Sequence, residues 1–220
     1  MIDYRMTPDR RLSFYAVALL LGSLAVTFAG LRHPRLTGDG PDQLATIAAT
    51  DRWRMIHGTL AAGIVLAVTG LAGVMGRHAG TPGERAARVG SLAAAFGYAL
   101  VLIAVLFMQG SGTVLARAYA DGAPGLAGTH AAFTYDMLHP FALAALRAGA
   151  FGVSLALYVL GRAAATGGLL PRWLGFAGMA GGIAGVIAAA LGPDLAPVTV
   201  LGLAAATGWQ VVVGGYSLRQ

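Results

Sequence analysis

The chain alternates between long apolar runs and shorter polar connections. Runs of about 20 apolar residues recur, and a helix needs that length to cross roughly 30 Å of hydrocarbon. Six runs are predicted as membrane-spanning helices, at about residues 12–30, 54–75, 89–109, 140–161, 173–191 and 197–216. The pattern therefore predicts an all-α, polytopic membrane protein, in which residues 1–220 form a single bundle of six transmembrane helices.

The arginines between the runs indicate the orientation of this bundle. Cytoplasmic connections of membrane proteins carry an excess of basic residues. With a cytoplasmic N-terminus, the inner segments hold nine arginines and the outer segments five. The inner nine are Arg5, Arg10, Arg11, Arg77, Arg85, Arg88, Arg162, Arg172 and Arg219, and the outer five are Arg32, Arg35, Arg52, Arg54 and Arg117. We therefore expect both termini in the cytoplasm and two extracytoplasmic loops, at about residues 31–53 and 110–139.

Composition narrows the class of function further. Only 11% of the residues are charged, whereas soluble domains are nearer a quarter charged. The net charge of +6 comes from scattered arginines that form no basic stripe, so no nucleic-acid partner is expected. The chain contains neither Cys nor Lys, which excludes thiolate catalysis and Schiff-base chemistry. With no catalytic motif present, a binding protein is favoured over an enzyme.

Glycine is abundant, with 33 residues, and many stand four positions apart, as Gly178 and Gly182 do. Such small residues let helix backbones approach closely in lipid. The pattern predicts a bundle that is held together by glycine-rich packing.

Polar side chains within the spans predict a pocket near the outer surface. Ionisable groups at membrane depth are costly and often mark a site. Counting along the helices brings six polar side chains to the outer half or outer rim, namely Arg147, His57, Gln109, His139, Asp136 and Tyr135. Pro140 suits the first position of the fourth helix, so Asp136 and His139 are expected at that helix start.

Arg147 is the most costly of these side chains, at about 2.5–3.5 kcal/mol for an arginine at a helix centre. Asp136 would share its face if the helix extended that far, but the axial gap would be roughly 16 Å at 1.5 Å per residue. The two side chains would not meet. Arg147 is therefore expected to face another helix, a hydrated cavity, a ligand or, by snorkelling, the lipid headgroups.

These residues predict an integral membrane protein whose outward-facing polar pocket binds or transports a small anionic or polar molecule or a lipid headgroup. A guanidinium suits carboxylate and phosphate because it pairs with them bidentately. No cofactor is expected, and the expected partners are membrane lipids, such a ligand, and other membrane proteins or further copies of the chain.

Two alternatives stay open. One is a membrane redox protein that holds haem b or a metal ion through His57 and His139, with His130 as a third ligand. The other is a structural accessory subunit of a larger membrane complex.

Residues 148–186 contain a helix, a short basic connection, the motif "LPRWLG" and a glycine-rich helix. This stretch resembles bacterial six-pass membrane proteins of unknown function, over about 40 residues. The resemblance implies the six-pass architecture and a place in the bacterial cytoplasmic (inner) membrane. It implies no activity and no site residues.

Overall fold

The computed structural model describes residues 8–122, 125–191 and 196–220, with side chains from residue 12 onward and, in the last segment, from residue 200. Every regular element in these ranges is helical. The α-helices are α1 (Pro8–Arg32), α2 (Gly40–Ala48), α3 (Trp53–Gly76), α4 (Glu84–Phe107), α5 (Thr113–Gly122), α6 (Leu126–Gly167), α7 (Arg172–Ala190) and α8 (Ala196–Ser217). A π-helical turn, Met108–Gly112, joins α4 to α5.

Five helical segments within the described residues are long and apolar enough to cross a membrane. They are Leu12–Arg32, Trp53–Gly76, Glu84–Gly122, Leu126–Gly167 and Arg172–Ala190. The first four predicted spans fall within these segments, and the fifth extends one residue beyond Ala190. The sixth falls within α8, a helix of 22 residues. The all-helical class and five apolar helices long enough to span a membrane are thereby confirmed.

Two of the helical segments are much longer than a bilayer requires. Helix α6 has 42 residues and is about 63 Å long at 1.5 Å per residue, roughly twice the thickness of the hydrocarbon. The segment from α4 through α5 has 39 residues and packs along α6. The connection predicted as a loop at 110–139 is thus largely helical, and the one at 31–53 contains α2. We call α2, α5 and residues 126–139 of α6 the cap.

The prediction that Pro140 begins a helix is wrong, because α6 begins at Leu126 and contains Pro140 in its interior. Proline has no backbone N–H, so the hydrogen bond to the carbonyl of Asp136 is lost. The helix continues because its packed side is uninterrupted, with Tyr135 buried before the proline and Ala142 buried after it.

Asp136 and His139 therefore lie within a helix and not at its start. Asp136 and Arg147 belong to one continuous helix, which keeps them about 16 Å apart along the axis.

The apolar residues form two separate cores. The larger one contains buried residues of α1, α3, α4, α6, α7 and α8. The smaller one joins the cap to the start of α3, and its buried members are Leu44, Ile47, Trp53, Met108, Ala116 and Tyr135. The cap is therefore packed onto the bundle by its own hydrophobic cluster.

Glycines bring α6 against two neighbouring helices. A Cβ at Gly97 of α4 would lie 2.6 Å from the backbone nitrogen of Val153, and one at Gly149 of α6 would lie 2.7 Å from the carbonyl oxygen of Gly97. On the side facing α7, a Cβ at Gly161 would lie 2.7 Å from the carbonyl oxygen of Gly175. Only glycine allows backbones to approach this closely.

A buried polar contact ties three helices together in the larger core. Ser23 of α1 and Tyr98 of α4 donate hydrogen bonds to the side-chain oxygen of Gln210 in α8, at 3.0 and 3.2 Å. Buried polar atoms are costly unless they are paired. This contact therefore favours one arrangement of the three helices.

The end of the bundle opposite the cap contains a buried histidine. His78 is 1% exposed and packs against Gly83 and Gly167. Its Nδ1 has no hydrogen-bond partner among the described residues. Burial lowers the pKa of His78, and the charge of the neighbouring Arg77 lowers it further.

Substitution of Gly97 by alanine should destabilise the bundle. The added Cβ would meet backbone atoms of α6, which cannot rotate away, and overpacking of this kind costs about 1–3 kcal/mol. Gly208 in α8 is the matched control, because a Cβ there would have no atom within 4 Å. In detergent, we expect circular dichroism to show a lower melting temperature for Gly97→Ala and an unchanged or slightly higher one for Gly208→Ala. Equal melting temperatures would contradict the close approach of α4 and α6.

Acidification should destabilise the protein through His78. Because the folded-state pKa is lowered, the unfolded chain takes up a proton at about pH 6.5 while the folded protein still resists it. Stability is therefore lost as the pH falls below about 6.5 toward the folded-state pKa. Denaturation curves at pH 7.5 and 5.5 should show a smaller loss for His78→Gln than for the wild type. The control His130→Gln, at an exposed position, should keep the wild-type loss, and a loss in His78→Gln as large as the wild type's would refute this origin.

Candidate functional site

Trp53 connects the first turn of α3 to the π-helical turn. The tryptophan is 2% exposed, and its Nε1 donates a hydrogen bond of 2.9 Å to the carbonyl oxygen of Met108. The wider π turn frees carbonyls from the regular pattern, and Thr113 Oγ1 donates to the carbonyl of Gln109 at 2.8 Å. Single π turns inside helices are frequent at functional sites.

His57 lies one turn along α3 from Trp53 and is 2% exposed. Its Nδ1 is 3.0 Å from the carbonyl oxygen of Trp53, and the centroids of the two rings are 4.3 Å apart. A carbonyl oxygen only accepts hydrogen bonds, so Nδ1 carries the ring proton and donates it. The Nε2 of the neutral ring is then a lone-pair acceptor.

His33, just beyond the end of α1, lies against both of these rings. Its Nδ1 is 2.7 Å from the carbonyl oxygen of Pro34, which fixes the same tautomer as in His57. Its Nε2 lies 3.3 Å from the Nε2 of His57. Burial lowers the pKa of His33, although the hydrogen bond to Pro34 opposes this effect. The two acceptor nitrogens therefore face each other.

Gln109 approaches the same group of residues from the π turn. A Cβ at Gly58, the residue after His57, would lie 3.2 Å from Gln109 Nε2. The structure thus brings Gln109 close to the first turns of α3.

Three further predicted site residues lie on α6 in or beside its contact with α2, and two of them, Tyr135 and Asp136, reach α2. Tyr135 is fully buried and donates a hydrogen bond of 3.0 Å to Gln43 Oε1. The ring of His139 stacks on Tyr135, with centroids 4.6 Å apart. The carboxylate of Asp136 fills the space beside Gly40, at the N-terminus of α2, where a negative charge is favoured.

The two remaining predicted residues both lie on α6. Arg147 is half-buried in α6, and α4 packs against both α6 and α3. His130 is exposed on the cap. Within the part of the chain that the structure describes, no three His, Asp or Glu side chains are grouped as a metal ion would require.

A cavity of about 450 Å³ opens between the end of α1 and the start of α3. Its apolar lining consists of Phe28, Ala29, Met55 and Ile56, and its polar lining of Arg32, Thr50, Asp51, Arg52 and Thr59. The guanidinium of Arg32 lies over the ring of Phe28, 5.0 Å from its centroid. The two arginines outnumber the one carboxylate, so the polar side of the cavity is cationic.

The sequence pattern does not mark His33, or the pair Arg32 and Arg52, as residues of a binding site. In the sequence these residues follow or precede an apolar span, where basic residues are ordinary anchors at a membrane interface. The only available signal was the pair His33–Pro34 directly after a span. Proline restricts the residue before it to an extended conformation. Helix α1 therefore ends before His33, and the imidazole of His33 contacts His57.

No protein-family model, curated protein or solved structure matches this chain. The resemblance of residues 148–186 to six-pass membrane proteins therefore rests on those residues alone.

Substitution of Trp53 by phenylalanine should loosen the junction between α3 and the π turn. The change keeps an aromatic ring but removes the indole donor of the Met108 carbonyl, which keeps a longer hydrogen bond of 3.3 Å from Thr113 Oγ1. The loss of such a hydrogen bond costs about 0.5–1.5 kcal/mol. We expect a lower melting temperature and faster backbone hydrogen exchange at residues 108–113. Trp173→Phe is the matched control, because Trp173 is 59% exposed. Exchange at residues 108–113 equal to that of the control would show that the indole does not hold the turn.

Proposed function

We propose that the chain is a six-pass protein of the bacterial inner membrane whose outward-facing end binds an amphipathic anion. Both termini lie in the cytoplasm, α8 is the sixth span, and the cap stands outside the cytoplasmic membrane. The arginine distribution supports this orientation, with nine inner and five outer arginines. Arg77, one of the nine inner arginines, lies at the end of the bundle opposite the cap. It donates a hydrogen bond of 2.7 Å to the side chain of Gln220.

The cavity between α1 and α3 is the observation that carries this proposal. It lies where α1 ends and α3 begins, which is the depth of the lipid headgroups if these helices span the membrane. An apolar wall and a cationic rim within one cavity match a molecule that has an apolar tail and a carboxylate or phosphate head. Arg32 and Arg52 would hold the head, because guanidinium pairs with both anions bidentately.

The proposal assigns the anion site to residues other than Arg147. Arg147 is not among the residues that line this cavity. The sequence predicted an arginine-based pocket in the outer half of the bundle, and the proposal keeps that chemistry while assigning it to Arg32 and Arg52. His57 and Gln109 lie in the neighbouring group of residues on α3 and the π turn.

Binding of dodecyl phosphate tests the proposal. With the protein in phosphatidylcholine nanodiscs, calorimetry should show one binding site for dodecyl phosphate and much weaker binding of inorganic phosphate, which has no tail. Arg32→Gln and Arg52→Gln should each weaken binding about tenfold or more, because a hydrogen bond to a charged group contributes about 1.5–3 kcal/mol. The control Arg35→Gln, at an exposed position outside the cavity, should bind as the wild type does.

A second set of nanodiscs distinguishes a lipid headgroup from a free anion. If phosphatidylglycerol in the nanodisc displaces dodecyl phosphate, the natural occupant is an anionic lipid, and if it does not, the occupant is a free amphipathic anion. Unchanged dodecyl phosphate binding in both Arg32→Gln and Arg52→Gln would refute the proposal.

A further inference from the structure

The contact between His33 and His57 brings together two ring nitrogens that both accept hydrogen bonds. Both Nδ1 atoms donate to backbone carbonyls, of Pro34 at 2.7 Å and of Trp53 at 3.0 Å. In the neutral rings, both Nε2 atoms therefore present lone pairs, and these face each other at 3.3 Å. Two lone pairs at this distance repel each other, and a proton or a metal ion shared by both nitrogens would remove that repulsion.

The distance between the two nitrogens matches neighbouring ligands of a tetrahedral metal ion. Zinc holds imidazole nitrogens at about 2.0–2.1 Å, and tetrahedral angles then place two such nitrogens about 3.3–3.4 Å apart. The value of 3.3 Å between His33 and His57 falls at this spacing.

The surroundings of both rings also match metal ligands. Histidines that bind metals usually donate their second N–H to a carbonyl or a carboxylate, which fixes the tautomer and orients the ring. The carbonyls of Pro34 and Trp53 make these contacts, and Trp53 packs against both imidazoles.

We infer that His33 and His57 are two ligands of a site for zinc or a similar first-row divalent metal ion at the cap end of the bundle. The described residues provide no group of three metal-binding side chains, so water or an external ligand completes the coordination. His33 is half-buried, whereas His57 is buried. The site differs from the combination of His57, His139 and His130 considered from the sequence.

A shared proton is the competing electrophile. An imidazolium between the rings would bring a positive charge next to the buried ring of His57. Metal ions bind the neutral imidazole. A metal ion could therefore be shared by the two Nε2 atoms in place of a proton.

Cobalt substitution tests this inference on the full chain, purified with an affinity tag that contains no histidine. Titration of the metal-free protein with Co²⁺ should produce the visible absorption bands of tetrahedral cobalt, with one ion per chain, and Zn²⁺ should abolish them. His33→Ala and His57→Ala should each lose the bands or weaken binding at least tenfold. His130→Ala is the matched control, because this exposed imidazole lies outside the site and its removal should change nothing.

Melting temperatures with and without Zn²⁺ give a second readout, since an ion that binds only the folded protein raises the melting temperature. If His57→Ala fails to fold, His33→Ala alone tests the inference, because His33 is only half-buried. A proton shared between the rings would prevent cobalt binding. Absence of cobalt bands in the wild type therefore overturns the inference. Full cobalt binding by His33→Ala overturns it as well. Because Arg32→Gln and Arg52→Gln should bind cobalt normally, failure of this inference is distinguishable from failure of the proposed anion site.

Discussion

The close approach of α6 to α4 and α7 is the contact on which the rest of the structure depends. Lipid tails are as apolar as leucine, so helices in a membrane associate through packing rather than through the hydrophobic effect. Gly97 and Gly149 let the backbones of α4 and α6 meet, and Gly161 does the same toward α7. Two helices packed this closely can extend together well beyond the thickness of a bilayer. The extended parts, α5 and residues 126–139 of α6, form most of the cap.

The candidate site follows from the extension of α4. The π turn after Phe107 presents the carbonyl of Met108 to the indole of Trp53, and this hydrogen bond positions the first turns of α3. His57 then lies one turn along α3, at the place where α1 ends and His33 becomes available. Backbone packing in the bundle therefore determines the geometry of side chains that belong to three separate parts of the chain.

The apolar spans could be predicted from the sequence because they depend on local composition, and their bounds agree with α1, α3, α4 and α7 to within a few residues. The cap could not, because its helices are stabilised by contacts with one another and not by a long apolar run. Pro140 pointed to a helix start that packing overrides. The contact of His57 with His33 is invisible to local patterns, since 24 residues separate the two.

Cysteine accessibility in intact cells tests the placement of the cap most directly. The chain contains no cysteine, so single cysteines can be introduced without background at exposed positions, with Thr129→Cys in the cap and Arg85→Cys at the opposite end. A membrane-impermeant maleimide should label Thr129→Cys in intact cells and Arg85→Cys only after the membrane is permeabilised. Labelling of Arg85→Cys but not Thr129→Cys in intact cells would place the cap, the cavity and the histidine pair on the cytoplasmic side and contradict an outward-facing site.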